Sequence, residues 1–333
     1  MNQKIRWGVL GTAAIAEGQV IPAIKQSRNG EVTAVGSRNL ERAKAYAFRN
    51  GISKAYGSYE ELITDPEIDA IYNPLPNAQH GEWSLRCAEA GKPVLCEKPL
   101  SSTADEARRM AAAFDRRGLL LAEAFMYRFH PQTQTIKELV DNGAVGKIHF
   151  VDASFCFSIS SENDIRLQKA EAGGALMDVG CYCLSAIHTM LGEEPVQVSA
   201  MAVFGEKSEV DERLVGLLLF ASGVLAHFDC SLRTHFTQRY DIRGTHGRIL
   251  TEQAYVPFRP DPTAKITVHT WKSTPGIEKE QYQAITITPI NQYALMVEDF
   301  ADALLQKRPP RFSIEDSIHN MQTIERLLAA ARS

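Results

Sequence analysis

Over roughly the first third of the chain, short apolar runs alternate with stretches whose apolar residues recur every three to four positions. Residues 5–11 read as a strand ending in a glycine turn. Ile15, Ala16, Val20, Ala23 and Ile24 then mark one face of a helix. A second strand covers 31–37, and Asn39 stands as N-cap to a helix over 40–50. Ser58-Tyr59-Glu60-Glu61 has the pattern of a capping box and opens a helix over 58–64. Strands at 70–73, 93–96 and 119–122 alternate with helices over 80–89 and 103–117. Strands and helices alternating in this way predict a parallel sheet with right-handed crossovers.

After residue 122 the texture changes. Residues 123–131 pack aromatics, arginine and histidine into a short loop, and a helix over 132–142 stops at Gly143. Strand patterns then follow at 147–157, 196–204, 213–220, 224–232 and 239–250, with Ala221-Ser222-Gly223 as a hairpin turn. One apolar helix, over 173–188, interrupts them. Helices at about 291–306 and 314–331 close the chain, separated by Arg308-Pro309-Pro310. The expected fold class is α/β: a doubly wound parallel sheet over 1–122, then an α+β domain over 123–333 with a large, mostly antiparallel, open-faced sheet. Such a face leaves apolar surface to cover, which predicts a homodimer or homotetramer through it.

Length and composition narrow the picture. The 333 residues suit two domains, and 44% apolar with 23% charged content is that of a soluble globular protein. No apolar run approaches the ~18 residues of a membrane span, and no cleavable leader is visible, so no membrane association and a cytoplasmic location are expected. A net charge of −4, with basic residues scattered among acids, argues against nucleic acid. The cysteines at 87, 96, 156, 181, 183 and 230 include no Cys-x-x-Cys pair and match no histidine cluster, so no metal is expected.

Candidate chemistry collects at the strand ends. Gly11-Thr12-Ala13-Ala14-Ile15-Ala16 is a G-x-A-x-x-A form of the dinucleotide fingerprint, in which the turn lets a pyrophosphate approach the helix N-terminus. By itself it is a weak signal; following a strand and opening a helix, it implies a Rossmann-type domain. At the end of the second strand, where an NAD-binding protein usually carries an acid, stands Ser37-Arg38. A hydroxyl and a guanidinium suit a 2′-phosphate, so NADP is expected over NAD; the alternative is a surface arginine near a turn. Pro74, Leu75, Asn77 and His80 fall at the same edge, although His80 could equally be a helix-start residue satisfied by its neighbours. Residues 92–101 end a buried strand in Glu97-Lys98-Pro99, an ionisable pair at a ligand-binding edge or an ordinary surface lysine closing a strand. Farther on, Asp178 and Tyr182 lie four residues apart on one face of the apolar helix, as a core pair or as a proton-transfer device. A tyrosine of pKa about 10 would be shifted toward phenolate by a nearby ammonium.

Residues 7–16, 74–80, 97–99, 126–131 (Met-Tyr-Arg-Phe-His-Pro) and 173–182 together resemble the glucose-fructose oxidoreductase and inositol dehydrogenase (Gfo/Idh/MocA) family over nearly the whole chain. The resemblance implies that Lys98 is catalytic, that Asp178 binds substrate and that Tyr182 transfers a proton. Tyrosine at 182 is similar to the branch of NADP-dependent pyranose or xylose dehydrogenases and dihydrodiol dehydrogenases. Glu97 and Lys98 would line the cofactor, and Tyr127, Arg128, Phe155, Phe157 and Arg166 the substrate. The chain begins a few residues before the first strand, without the cofactor-clasping arm of glucose-fructose oxidoreductase, so an exchangeable cofactor is expected. The expected activity is NADP-dependent hydride transfer to or from a sugar or sugar-like ring. The alternatives are a trans-dihydrodiol dehydrogenase and a non-catalytic cofactor- or sugar-sensing regulator.

Overall fold

Strands buried on both faces read as near-continuous apolar runs, and the central strands of the first unit do. The computed structural model describes residues 3–257, 263–274 and 277–333. In it β1 (Ile5–Leu10), β2 (Gly30–Gly36), β3 (Lys54–Tyr56), β4 (Ala70–Asn73), β5 (Val94–Cys96) and β6 (Leu121–Glu123) form a parallel sheet of order β3-β2-β1-β4-β5-β6. The helices between them are α1 (Ile21–Gln26), α2 (Leu40–Arg49), α3 (Tyr59–Thr64), α4 (Asn77–Glu89) and α5 (Ala104–Asp115). Three of their starts are legible as caps: the side chains of Asn39, Ser58 and Thr103 accept from the N–H groups of Arg42, Glu61 and Glu106. The strand order reverses between β1 and β4, so the carboxyl ends of the strands there border a ligand crevice.

The second unit holds α6 (Pro131–Asp141), β7 (Ile148–Ser158), α7 (Cys181–Leu191), β8 (Pro195–Phe204), β9 (Asp211–Phe220), β10 (Leu225–Ser231), β11 (Arg233–Gly244), β12 (Gly247–Thr251), β13 (Ala264–Thr274) and β14 (Ile277–Ile287). Its strands make one eight-stranded sheet of order β14-β13-β12-β11-β7-β10-β9-β8, in which, among the described residues, only β7 and β10 pair in parallel. Period-two alternation sets its two faces. Leu214, Leu218, Ala226 and Phe228 are buried beneath α7 and the turn preceding it, while Val215, Leu217, Leu225 and Met201 point outward and exposed. Lys169–Leu191 has the length and apolarity of a membrane span among the described residues, but 78% of its window is buried inside the protein, as in a core helix.

Two sequence expectations are corrected. The single strand over 239–250 is a hairpin, β11–β12, turned at Thr245-His246 between two glycines, and β13 and β14 were not foreseen at all. The tail also divides differently. Residues 291–321 cluster with 1–126, and 322–333 with 127–290. α8 (Gln292–Gln306) packs on α1 and β2, with Phe300 5.2 Å from the Trp7 ring and Asn29 donating to Glu298 O and Asp302 Oδ1. α9 (Ile314–Arg332) follows. Sequence periodicity places a helix but says nothing of which sheet it covers, so the assignment of 123–333 to one domain fails at α8.

Candidate active site

In the first unit, the turn after β1 needs its glycine. Gly11 has φ +75°, and a Cβ there would stand 3.0 Å from Leu75 Cδ2 and 3.7 Å from the Tyr59 hydroxyl. Its N–H donates to Gly36 O (2.8 Å), locking the turn to the end of β2. Thr12, Ala13, Ala14 and Ile15 follow into a helix that passes through a π-helical turn, Ala16–Val20. N–H groups in a first helical turn lack acceptors inside the helix and face outward to anions. At the end of β2, Ser37 is buried and Arg38 exposed. Arg38 hydrogen-bonds the Tyr59 hydroxyl, and Arg42 lies close enough to act on it electrostatically; burial still raises the Tyr59 pKa over both arginines. Tyr59 therefore stands between the glycine turn and two cations. A tight turn, a helix start and paired guanidinium groups fit the pyrophosphate and 2′-phosphate of NADP.

The Lys98 segment is braced from several sides of the same unit. Glu97, 9% exposed, accepts from the Tyr72 hydroxyl (2.7 Å) and from the Lys98 N–H (3.3 Å), while the Glu97 N–H donates to Asn73 O (3.0 Å). Burial and the carboxylate together hold the Tyr72 pKa well above its ordinary value. Glu123 at the end of β6 accepts from the Leu100 N–H (2.8 Å). His80 is buried in α4, with Nδ1 2.8 Å from Pro99 O and Nε2 2.7 Å from Leu75 O. Burial, with a smaller contribution from Lys98, lowers its pKa to about 4. The histidine ties the loop after β4 to the residue that follows Lys98.

In the second unit, Asp178 and Tyr182 sit where a π-helical turn, Leu176–Gly180, runs into α7, with the Cys181 N–H reaching back to Leu176 O. Both side chains are largely buried. The Tyr182 ring is enclosed by Phe155 (5.3 Å, edge-on), Tyr255 (5.5 Å) and Tyr127 (5.8 Å), and Phe155 stacks on Tyr255 at 4.9 Å. The Tyr127 hydroxyl donates to Ser185 Oγ (2.8 Å), and burial pushes its pKa up to about 12. Phe236, partly exposed, meets Phe155 edge-on at 6.4 Å. Arg166 makes a bidentate pair with Asp164 (2.8 and 2.7 Å), lies 3.8 Å from Asp178, and covers the Phe157 ring at 5.0 Å. One aromatic-walled tyrosine thus has an aspartate a turn away, and that aspartate is flanked by a guanidinium.

Residues 5–125 match the model described as "Oxidoreductase family, NAD-binding Rossmann fold", and residues 133–250 match the GFO/IDH/MocA C-terminal domain. D-xylose 1-dehydrogenase (NADP(+)) 2 of Haloferax volcanii is 39% identical over 328 residues, 98% of this chain and 97% of the relative. This chain belongs to the GFO/IDH/MocA oxidoreductase family. Trans-1,2-dihydrobenzene-1,2-diol dehydrogenase of Sus scrofa is 36% identical over 73% of this chain and 72% of its own length. A 3-ketoreductase from Actinomadura kijaniata, solved with NADP and TDP-benzene, superposes with a TM-score of 0.90 at 33% identity, covering 98% of both chains.

Within this GFO/IDH/MocA chain, the turn residues 11–15, Ser37, Arg38, Pro74, Leu75, Asn77, Glu97 and Lys98 lie at the carboxyl ends of β1, β2, β4 and β5. His80 matches the alternative left open in the sequence, a helix-start residue satisfied by its neighbours: its ring nitrogens face the backbone carbonyls of Pro99 and Leu75. Tyr127 is fully buried behind Tyr182, with its hydroxyl bound to Ser185. Arg128 is 8% exposed on the turn Met126–Phe129. Phe155, Phe157 and Arg166 surround Tyr182 or Asp178 as described. Sequence reasoning missed Arg42, Tyr59, Phe236 and Tyr255. Arg42, one helical turn beyond Arg38, carried a readable signal; the other three acquire meaning only from long-range packing.

Proposed function

We infer that this enzyme transfers hydride between NADP and a hydroxyl or carbonyl carbon of a sugar or sugar-like ring. The observation that carries the reading is Tyr182, a hydroxyl-bearing ring set among Tyr127, Phe155 and Tyr255, with Asp178 one turn away. Ala13–Ile15 and the helix start would hold the pyrophosphate, and Arg38 with Arg42 the 2′-phosphate. NADP, when bound, supplies or accepts the hydride. Tyr182 would exchange a proton with the substrate oxygen, and the Lys98 ammonium would serve the same transfer. Asp178 accepts from a substrate hydroxyl and is oriented in turn by Arg166. Asp164 occupies two donors of that guanidinium, which suits a neutral ring better than an anionic group at this point. Solved forms of the Actinomadura reductase include a tyrosine-to-phenylalanine variant and a lysine-to-alanine variant, in keeping with a lysine–tyrosine pair.

The aromatic wall also suits a dihydrodiol, and the porcine relative acts on one by name. Mixing the protein with NADP and a panel of pentoses, hexoses and an aromatic trans-diol, and following nicotinamide absorbance, separates these readings. Turnover of one or more aldoses is expected. Turnover of the diol alone moves the assignment to a dihydrodiol dehydrogenase, and cofactor binding without turnover in either direction makes the chain a sensor. A homodimer or homotetramer through the outer face of the eight-stranded sheet is the matching assembly, since Val196 (59% exposed), Met201 (76%), Leu217 (61%) and Val215 (52%) present a contiguous apolar surface. The six cysteines form no disulfide, in keeping with the reducing cytoplasm.

A further inference from the structure

Gly173-Gly174, just ahead of the helix that carries Asp178 and Tyr182, has a steric cause. A Cβ on Gly173 would collide with the Arg166 carbonyl oxygen, and a Cβ on Gly174, at φ +123°, would collide with Oδ1 of Asp211. Asp211 opens β9 and is 2% exposed. Its Oδ2 accepts from the Leu176 N–H at 2.7 Å, and its carboxylate also accepts from the Ala175 N–H. Those are donors that the helix itself cannot satisfy. Gly174 O accepts from the Asp178 N–H (3.0 Å), and the Gly174 N–H donates to Arg166 O (2.9 Å). One buried carboxylate is therefore joined to the backbone that sets both Arg166 and Asp178.

We propose that Asp211 is a positioning residue for catalysis: its carboxylate clamps the helix N-terminus and thereby fixes Asp178, Arg166 and, one turn on, Tyr182. The inference rests on the catalytic reading of Tyr182 and Asp178. Only an ionised carboxylate offers acceptors on both oxygens and a negative charge to the positive end of the helix. Asparagine keeps one acceptor but turns an NH₂ toward an N–H, and glutamate is too long for the space Gly174 leaves. Burial raises the Asp211 pKa to about 6 against these backbone bonds. The other groups facing it are Arg332 of α9, which favours the anion, and the Cys230 thiol of β10. Glu212 is turned away to Arg233. A raised pKa means that the clamped helix start binds this proton more tightly than an opened, solvated carboxylate would, so resistance to opening should rise as pH falls through about 6.

The test follows amide hydrogen exchange at residues 175–178 and the pH profile of kcat, in the full-length wild type, Asp211→Asn and Tyr182→Phe. In wild type, protection at 175–178 is expected to rise about tenfold as pH drops from 7 to 5, alongside an acid limb in kcat as the ionised clamp is lost. Asp211→Asn should show low, pH-independent protection and a reduced kcat without that limb, with KM for NADP unchanged. Wild-type protection in Asp211→Asn at pH 7, or an acid limb that survives in it, overturns the proposal. If Asp211→Asn does not fold, wild-type protection at 175–178 that stays flat from pH 7 to 5 overturns it equally. Tyr182→Phe should abolish turnover while leaving exchange at 175–178 as in wild type. Activity in that variant sinks the catalytic reading and leaves the exchange result to stand.

Discussion

At the scale of the residue, the proposed preference for NADP rests on Arg38 and Arg42, which share the neighbourhood of the Tyr59 hydroxyl at the end of β2. A charge-assisted hydrogen bond lost from a phosphate site costs about 10- to 100-fold in affinity. Arg38→Ala should weaken NADP binding by that order and NAD binding by little, as read by titrating each cofactor against the intrinsic tryptophan fluorescence. Equal losses for both would remove the 2′-phosphate role. Much at this scale was legible in sequence. Gly11, Arg38, Lys98, Asp178 and Tyr182 stand in local motifs whose chemistry a strand end or helix face already implies. The partners of His80 and Tyr127, the carbonyls of Leu75 and Pro99 and the hydroxyl of Ser185, could not be read from sequence because the fold brings them together. Asp211 gave no local sign at all, since its meaning lies with Gly174 and the helix start, far away in sequence.

Among elements, the capped helices and the alternation of β1 to β6 could be read because each rests on local chemistry, such as Asn39, Ser58 and Thr103 at N-caps. β14 could not, because residues 278–283 read Glu-Lys-Glu-Gln-Tyr-Gln, with no apolar–polar alternation. Nor does sequence announce the two π-helical turns, Ala16–Val20 and Leu176–Gly180, which fall at the proposed cofactor and substrate helices. The tail helix α8 was placed correctly along the chain but in the wrong unit. Phe300, 2% exposed against Trp7, makes its true attachment measurable. Phe300→Ala should destabilise the first unit by about 3–5 kcal/mol in denaturant unfolding, as loss of a buried phenyl ring requires. A change below about 1 kcal/mol, the range of ordinary surface substitutions, would mean that α8 is not part of that core.

For the whole molecule, the outer face of the eight-stranded sheet is the surface that asks for a partner. Replacing Met201 and Leu217 together by glutamate, on adjacent strands, should convert the assembly to monomers in light scattering without loss of secondary structure. An unchanged mass would move the interface elsewhere. The central proposal is that Lys98 and Tyr182 both serve the proton transfer. Its most direct test is a double-mutant cycle on kcat with Lys98→Ala, Tyr182→Phe and the combined variant. Each single change is expected to reduce kcat by about 10²-fold or more, and the combination by little beyond the worse single change, because residues acting as a unit are strongly non-additive. Losses that multiply, or either single variant within a few-fold of wild type, would contradict the pair.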